Sequence, residues 1–398
     1  MKTIPYGRQW ITEADIEAVT AVLRSGWITQ GPRIEAFEKE LAKAVGAKHA
    51  VVCASGTAAL HLMMLSLGLG EGDVVMTSPL TFLATANAAR FTGANVAFCD
   101  IDPKTFNLDP GRLETVLKTV KGRKVMVLPV HFAGLPCEMA AIRQIADRHG
   151  GIVLEDGCHA LGASYAAGEE TVKVGSCAHS RMTAFSFHPV KAITTGEGGA
   201  VTTNDAELAQ RLRRFRNHGT TKNPKQFQYP ALAFENNAPN PWYYEMAELG
   251  YNYRMTDIQA ALGISQLRRL HHFIERRREI AEGYRQAFSR NPFISFQEIP
   301  KGARSAWHLF VLLIDFEKIG KSRRQIMTEL QERGILTQVH YLPLHLQPYY
   351  RKTLRTKPGD FPHAEAYYAK ALSIPLFPAM TDEAVERVVH AVDEVIRP

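Results

Sequence analysis

The stretch Phe185-Ser186-Phe187-His188-Pro189-Val190-Lys191-Ala192-Ile193-Thr194-Thr195-Gly196-Glu197-Gly198-Gly199 ends a strand, sets a lysine on the loop that follows and closes with three glycines. The apolar run Met182–Phe187 reads as strand, and the glycines let backbone pack closely against a bound group. A lysine leaving a sheet into a small-residue turn has the setting of a Schiff-base lysine, because burial lowers its pKa and frees the amine. Taken alone, Lys191 reads as a surface lysine in a glycine turn.

Outward from this stretch, apolar runs alternate with helical patterns. Strands are expected at His49–Cys53, Val74–Thr77, Val96–Asp100, Lys124–Val130, Ile152–Glu155, Met182–Phe187 and Gly199–Thr203. Helices are expected at Thr12–Ser25, Arg33–Val45, Thr57–Gly68, Leu83–Thr92, Arg112–Val120 and Ala140–His149. This alternation predicts an α/β fold, a largely parallel sheet covered by helices on both faces. A loop-rich interval, 219–254, carries four prolines beside Trp242-Tyr243-Tyr244, and its aromatics argue for an ordered functional loop. A long helical pattern from about Thr256 to Arg290, with room for one break, connects to a smaller unit. That unit is expected to hold strand Trp307–Asp315, helix Ser322–Arg333, strand Leu336–His340 and helix Asp382–Arg397. The boundary falls near residue 256, giving units 1–255 and 256–398.

Two further strand ends carry polar groups. Glu155-Asp156-Gly157-Cys158-His159 follows the strand from Ile152, where open α/β sheets bind ligands. Pyridoxal phosphate needs an ionised Asp of this kind beside its pyridinium nitrogen. A turn-capping Asp fits Asp156 equally well, and His159 alone reads as structural. Ser55-Gly56-Thr57 opens a helix after His49–Cys53, so its hydroxyls and free N–H groups suit a phosphate, or an ordinary cap. No Walker A, Gly-x-Gly-x-x-Gly, His-Glu-x-x-His or Gly-x-Ser-x-Gly motif occurs.

The chain has 398 residues, 45% hydrophobic and 22% charged, which suggests two or three domains and excludes disordered and fibrous classes. Ala50–Gly70 lacks charged residues, yet Ser55-Gly56-Thr57 and His61 interrupt it, so a buried strand, turn and helix fit better than a membrane span. The N-terminus has no apolar signal region, and the five scattered cysteines form no pair or metal cluster, so a reduced, cytoplasmic setting is expected. The net charge is +7, with basic clusters at Arg211–Lys225 and Arg276-Arg277-Arg278. Nucleic acid is the weaker reading of these clusters, because anionic small substrates also use basic residues.

The ordered set of phosphate-type turn, Phe82 after the next strand, Asp-x-x-His strand end and lysine turn closely resembles the fold-type I, pyridoxal 5'-phosphate-dependent sugar aminotransferases of the DegT family. The resemblance runs from about Ile4 to the C-terminal helix. Its most specific stretches are SFHPVKAITTGEGGA, GYNYRMTDIQAALGISQL (250–267) and GILTQVHYLPLH (334–345). PWYYEMAELGYNYR and VHYLPLH are most similar to the branch that makes pseudaminic acid precursors, which aminates a UDP-linked 4-keto-6-deoxy sugar from glutamate.

By this resemblance Lys191 is the lysine that bonds the cofactor and moves protons, and keeping Lys favours transamination over a dehydratase branch that has His there. Asp156 becomes the pyridinium partner, His159 the residue against the cofactor's oxygen or ring, and Phe82 the stacking aromatic. Gly56, Thr57 and Ser186 match phosphate positions. Asn252 matches a residue reaching the phosphate from the neighbouring subunit, which implies a homodimer with shared sites and makes 219–254 an inter-subunit arm. Gln30, His188, His340 and Tyr341 resemble substrate-side positions. No metal is implied: His340 and His345 lack a third ligand nearby. The resemblance leaves open a UDP-4-keto-pentose aminotransferase of lipid A modification, other nucleotide sugars, and a regulatory or nucleic-acid-binding module built on the same fold. No nucleic-acid or membrane partner is expected.

Overall fold

Alternate residues of the strands enter two different cores, and that fixes the architecture. Val52, Val127, Val153, Phe185 and Ala200 pack with Phe37, Leu41, Ile142 and Ile145 of two helices. Their neighbours Val51, Met126, Leu154, Ala184 and Val201 pack with Leu60, Met63, Leu208 and Leu212 of two others. Strands buried on both faces read as continuous apolar runs, which is why these segments show no polar alternation. The computed structural model describes residues 3–120 and 123–397.

The large sheet runs in the order Asn95–Phe98, Val74–Thr77, Val125–Leu128, Ile152–Asp156 (as Ile152–Val153 and Glu155–Asp156), Met182–Ser186, Gly199–Thr203 and His49–Cys53. Pairing is parallel from Asn95–Phe98 through Met182–Ser186. Gly199–Thr203 runs antiparallel to both of its neighbours. The sheet is mostly parallel with one reversed strand. The connection 187–198 holds no helix to carry the chain back across the sheet, so its two strands pair antiparallel, and Lys191 rides on that connection.

Helix Pro32–Val45 stops at Gly46, whose φ of 81° is the left-handed conformation that ends helices. Its N-terminus is held from afar: Asp257 accepts hydrogen bonds from Gly31 N (2.7 Å) and Arg33 N (2.9 Å).

The long helical pattern after residue 256 is two helices, Asp257–Arg268 and Leu270–Phe288, meeting at Arg269. Arg269 ion-pairs with the buried Asp15 at 2.5 Å, anchoring the junction to the first helix. Beyond it, Ile294–Phe296, Phe310–Ile314 and Ala371–Ile374 form an antiparallel three-stranded sheet. Helices Arg323–Glu332 and Asp382–Val395 pack on it through Ile326, Leu330, Val388 and Val392.

Leu336–His340, expected as a strand, forms no ladder. Ile335 bridges Ile4 and Gln338 bridges Ser373, so the segment threads between two other stretches of the chain and bonds first to one and then to the other. The 219–254 interval is built from short turns and two-residue strand pairs, with Tyr229, Leu232, Trp242, Tyr244, Met246 and Leu249 exposed.

The arginines of the basic clusters are paired or buried, while Lys222 and Lys225 are exposed. Arg213 and Arg216 pair with the buried Glu38, and Arg211 and Arg214 with Glu248. Arg276 pairs with Asp382 and Arg278 with Glu275, while Arg277 is wholly buried. The cysteines are free, all buried except the partly exposed Cys158. No helix among the described residues is long and apolar enough to cross a membrane.

Candidate active site

A cavity of about 540 Å³ opens where the parallel strands end, between the large sheet and the segment 338–341. Helix Gly56–Ser66 points its N-terminus into it. Ser55 caps that helix by accepting from Ala58 N at 3.1 Å, and the remaining first-turn N–H groups lack helical partners. Gly56 is required here: a Cβ would lie 2.7 Å from the Ser186 Cβ, so only glycine lets the helix start beside the Ser186 hydroxyl. Two chain segments thereby gather hydroxyl and amide donors at one end of the cavity, a setting for an anion.

Asp156 lies elsewhere on the lining, buried at its strand end. Thr85 Oγ1 donates to its Oδ2 at 2.7 Å and Cys158 N donates to its Oδ1 at 3.1 Å. A carboxylate has about four acceptor positions, so capacity for a further donor is left. Behind it Glu155 is buried in a network with His131 Nε2 (2.8 Å), Thr183 Oγ1 (3.1 Å) and Ser180. Burial opposes its ionisation, but the hydrogen bonds from His131, Ser180 and Thr183 outweigh this and lower its pKa. His131 Nδ1 accepts from Cys137 N at 3.0 Å, which leaves Nε2 to donate to Glu155.

Lys191 is half-buried as a residue, and burial pushes the pKa of its amine down. Arg277 acts in the same sense, while Cys158 and Asp156 oppose it. Its hydrogen-bond partner is His308 Nε2 at 3.4 Å. His159, His308 and His340 surround this amine, and burial lowers the pKa of each, that of His340 to about 3. All three are neutral near pH 7. His159 Nε2 meets the Tyr341 hydroxyl at 3.2 Å, and His340 Nδ1 meets Ser373 Oγ at 2.8 Å. Phe82 precedes helix Leu83–Phe91 at the cavity wall, 53% exposed, its ring 6.0 Å from that of Tyr341.

The cavity therefore gathers Gly56, Thr57, Phe82, Asp156, His159, Ser186, His188, Lys191, His340 and Tyr341. Gln30 and Asn252 are not among its lining residues. Gln30 lines a separate groove with Arg213, Arg216 and Arg254, and exposed Asn252 bridges Asn217 on the same groove. Sequence reasoning missed Thr85, His308, Tyr6 and Gln338 as cavity residues. Thr85 sits one turn into a helix that starts at the cavity, a signal that was present; His308 gave none.

The chain belongs to the DegT/DnrJ/EryC1/StrS aminotransferase family, whose profile matches residues 9–393. It is a pyridoxal phosphate-dependent sugar aminotransferase with the α/β fold of that family. It is 43% identical over 396 residues to the spore coat polysaccharide biosynthesis protein SpsC of Bacillus subtilis, covering 99% of this chain and 97% of that one. Its structure is similar to Helicobacter pylori PseC, an aminotransferase involved in the biosynthesis of pseudoaminic acid (TM-score 0.88, 32% identity, 99% of each chain). It is also similar to S. venezuelae DesV in complex with a ketimine intermediate (TM-score 0.85, 31% identity, 100% of each chain). The cavity fits the cofactor on its own chemistry: a buried amine of lowered pKa, a carboxylate with spare acceptor capacity, and a glycine-enabled anion site line one space.

Proposed function

We propose that this cavity transfers an amino group from glutamate to C4 of a UDP-linked 4-keto-6-deoxy-N-acetylhexosamine, a step toward pseudaminic acid. The observation that carries the catalytic part is the Lys191 amine buried in one cavity with Asp156 and the Ser186–Gly56 anion site. Similarity to PseC over 99% of both chains supports the sugar.

Pyridoxal phosphate, when bound, supplies an aldehyde for the amino donor and a conjugated ring that withdraws electrons. Lys191 would hold it covalently; the Gly56 and Thr57 amides and the Ser186 hydroxyl would hold its phosphate. Phe82 would cover one ring face and His159 would lie against the ring. Asp156 would hold a proton at the ring nitrogen. Lys191 Nζ takes the proton from the Cα of glutamate, and in the second half-reaction it returns one to C4 of the sugar. His188, His340 and Tyr341 orient the substrate, and the lowered pKa values of His159, His308 and His340 make these imidazoles weak bases beside the amine. Asn252 of the partner subunit completes the phosphate site, with Gln30 on the same inter-subunit groove, and the enzyme works as a cytoplasmic homodimer through its 219–254 arm.

A second reading has a specific support. The 43% identity to SpsC favours a different surface-polysaccharide amino sugar with the same chemistry. Glutamate-dependent amination measured on a panel of UDP- and dTDP-linked 4-keto sugars separates the two. The proposal expects the highest kcat/KM with the UDP-N-acetylhexosamine, because its acetamido group pairs with buried partners that other sugars leave unpaired. Preference for a sugar without the acetamido group contradicts it.

A further inference from the structure

We propose that His308 is a positioning residue for Lys191, its imidazole Nε2 holding the ε-amino group in place whenever that amine is not bonded to the cofactor. The inference rests on Lys191 being the cofactor-bonding lysine, and it concerns a cavity residue from another segment, 117 positions away.

His308 is placed by several independent contacts. The wholly buried Arg277 donates to the carbonyls of Trp307 (3.2 Å), His308 (3.4 Å) and Leu376 (2.8 Å). Burying an arginine for this is costly, and burial alone takes its pKa down to about 10. Gly134, at φ +98°, lets the segment lie close: a Cβ there would stand 2.8 Å from Trp307 N and 2.9 Å from His308 N. Ala306 N donates to Gly134 O (2.9 Å), and Trp307 N to Ser305 Oγ (3.0 Å). The ring itself packs on His159, centroids 4.2 Å apart and planes at 43°.

The tautomer follows from what each ring nitrogen meets. His308 Nδ1 is buried with no partner among the described residues. An orphaned N–H is rarer in proteins than an under-used acceptor, so the proton belongs on Nε2. Nε2–H then donates to Lys191 Nζ, 3.4 Å away, in the unprotonated form of that amine. The groups around that amine agree: burial and Arg277 disfavour the ammonium, against Asp156 and Cys158, while His159 and His340 are neutral.

The test uses the full-length chain freed of cofactor. Covalent capture of pyridoxal phosphate is followed by absorbance after mixing, and pyridoxamine phosphate affinity is measured separately, since that ligand forms no bond to Lys191. One hydrogen bond corresponds to about a tenfold change. His308→Leu is expected to slow capture about tenfold with pyridoxamine phosphate affinity unchanged. His308→Gln, which keeps an N–H donor, is expected to restore most of the rate. Wild-type capture by His308→Leu overturns the proposal, as does equal slowing by both variants or a parallel loss of pyridoxamine phosphate binding. Lys191→Ala serves as the control: covalent capture by it shows that the Lys191 assignment, not the role of His308, is at fault.

Discussion

Thr85 Oγ1 donates a 2.7 Å hydrogen bond to Asp156 Oδ2 across 71 positions of sequence. Because the Thr85 proton goes to the carboxylate, the 2.8 Å contact between Thr81 and Thr85 runs the other way, Thr81 donating. A threonine relay from the start of helix Leu83–Phe91 thus fixes which way Asp156 faces. Thr85→Val keeps the volume and removes the relay. A hydrogen bond to a charged group contributes about 1.5–3 kcal/mol, so cofactor affinity or the glutamate half-reaction is expected to fall about tenfold or more. Asp156→Asn is expected to slow both half-reactions further while leaving the fold largely intact. Stopped-flow half-reactions and cofactor titration check both.

Asn252 gives the assembly prediction. It is exposed and lies off the cavity lining, so a role at the phosphate requires a second chain. Asn252→Asp sets a like charge against the phosphate and is expected to weaken cofactor retention. Mixed with inactive Lys191→Ala, it should give heterodimers in which one site carries both defects and the other neither. Activity reappearing in proven heterodimers supports the shared site; its absence shows that Asn252 serves its own chain.

Acid should destabilise the cofactor-free protein before its carboxylates titrate. His159, His308 and His340 all have folded pKa values below the ordinary 6.5. Below about pH 6.5 the unfolded chain binds protons that the native state refuses, so stability falls as pH falls. Each histidine contributes up to about 1.4 kcal/mol per pH unit, about 4 kcal/mol for three between about pH 7.5 and 5.5. Buried His61 adds in the same direction. Urea unfolding at the two pH values measures the difference, and His340→Gln should reduce it by about a third.

Much of the fold was legible because its strands are buried on both faces. His49–Cys53, Val74–Thr77 and Gly199–Thr203 fall on the residues that the apolar runs mark out. Leu336–His340 misled because an apolar pattern fixes extended backbone, not a pairing partner, and here the partners are Ile4 on one side and Ser373 on the other. Composition likewise shows Arg276-Arg277-Arg278 but not that Arg277 turns inward onto backbone carbonyls. In the site, the family resemblance rather than any single residue pointed to Lys191, Asp156 and Ser186, and the structure brings all three to one cavity at the ends of neighbouring strands. Thr85 had a signal in its place at the start of a helix that opens at the cavity, whereas His308 had none, since its importance lies in a contact made 117 residues away. Gln30, matched by motif to a substrate-side position, lines the separate groove with Arg254.

The central claim is that Lys191 bonds the cofactor inside this cavity, and one chemical experiment addresses it directly. The purified full-length protein is loaded with pyridoxal phosphate, reduced with borohydride to fix the lysine–cofactor bond, digested, and the phosphopyridoxyl mass located by tandem mass spectrometry. The account predicts a single labelled residue, Lys191, with labelling abolished in Lys191→Ala. Stoichiometric label on any other lysine, or none on Lys191 in a protein that turns over, contradicts it.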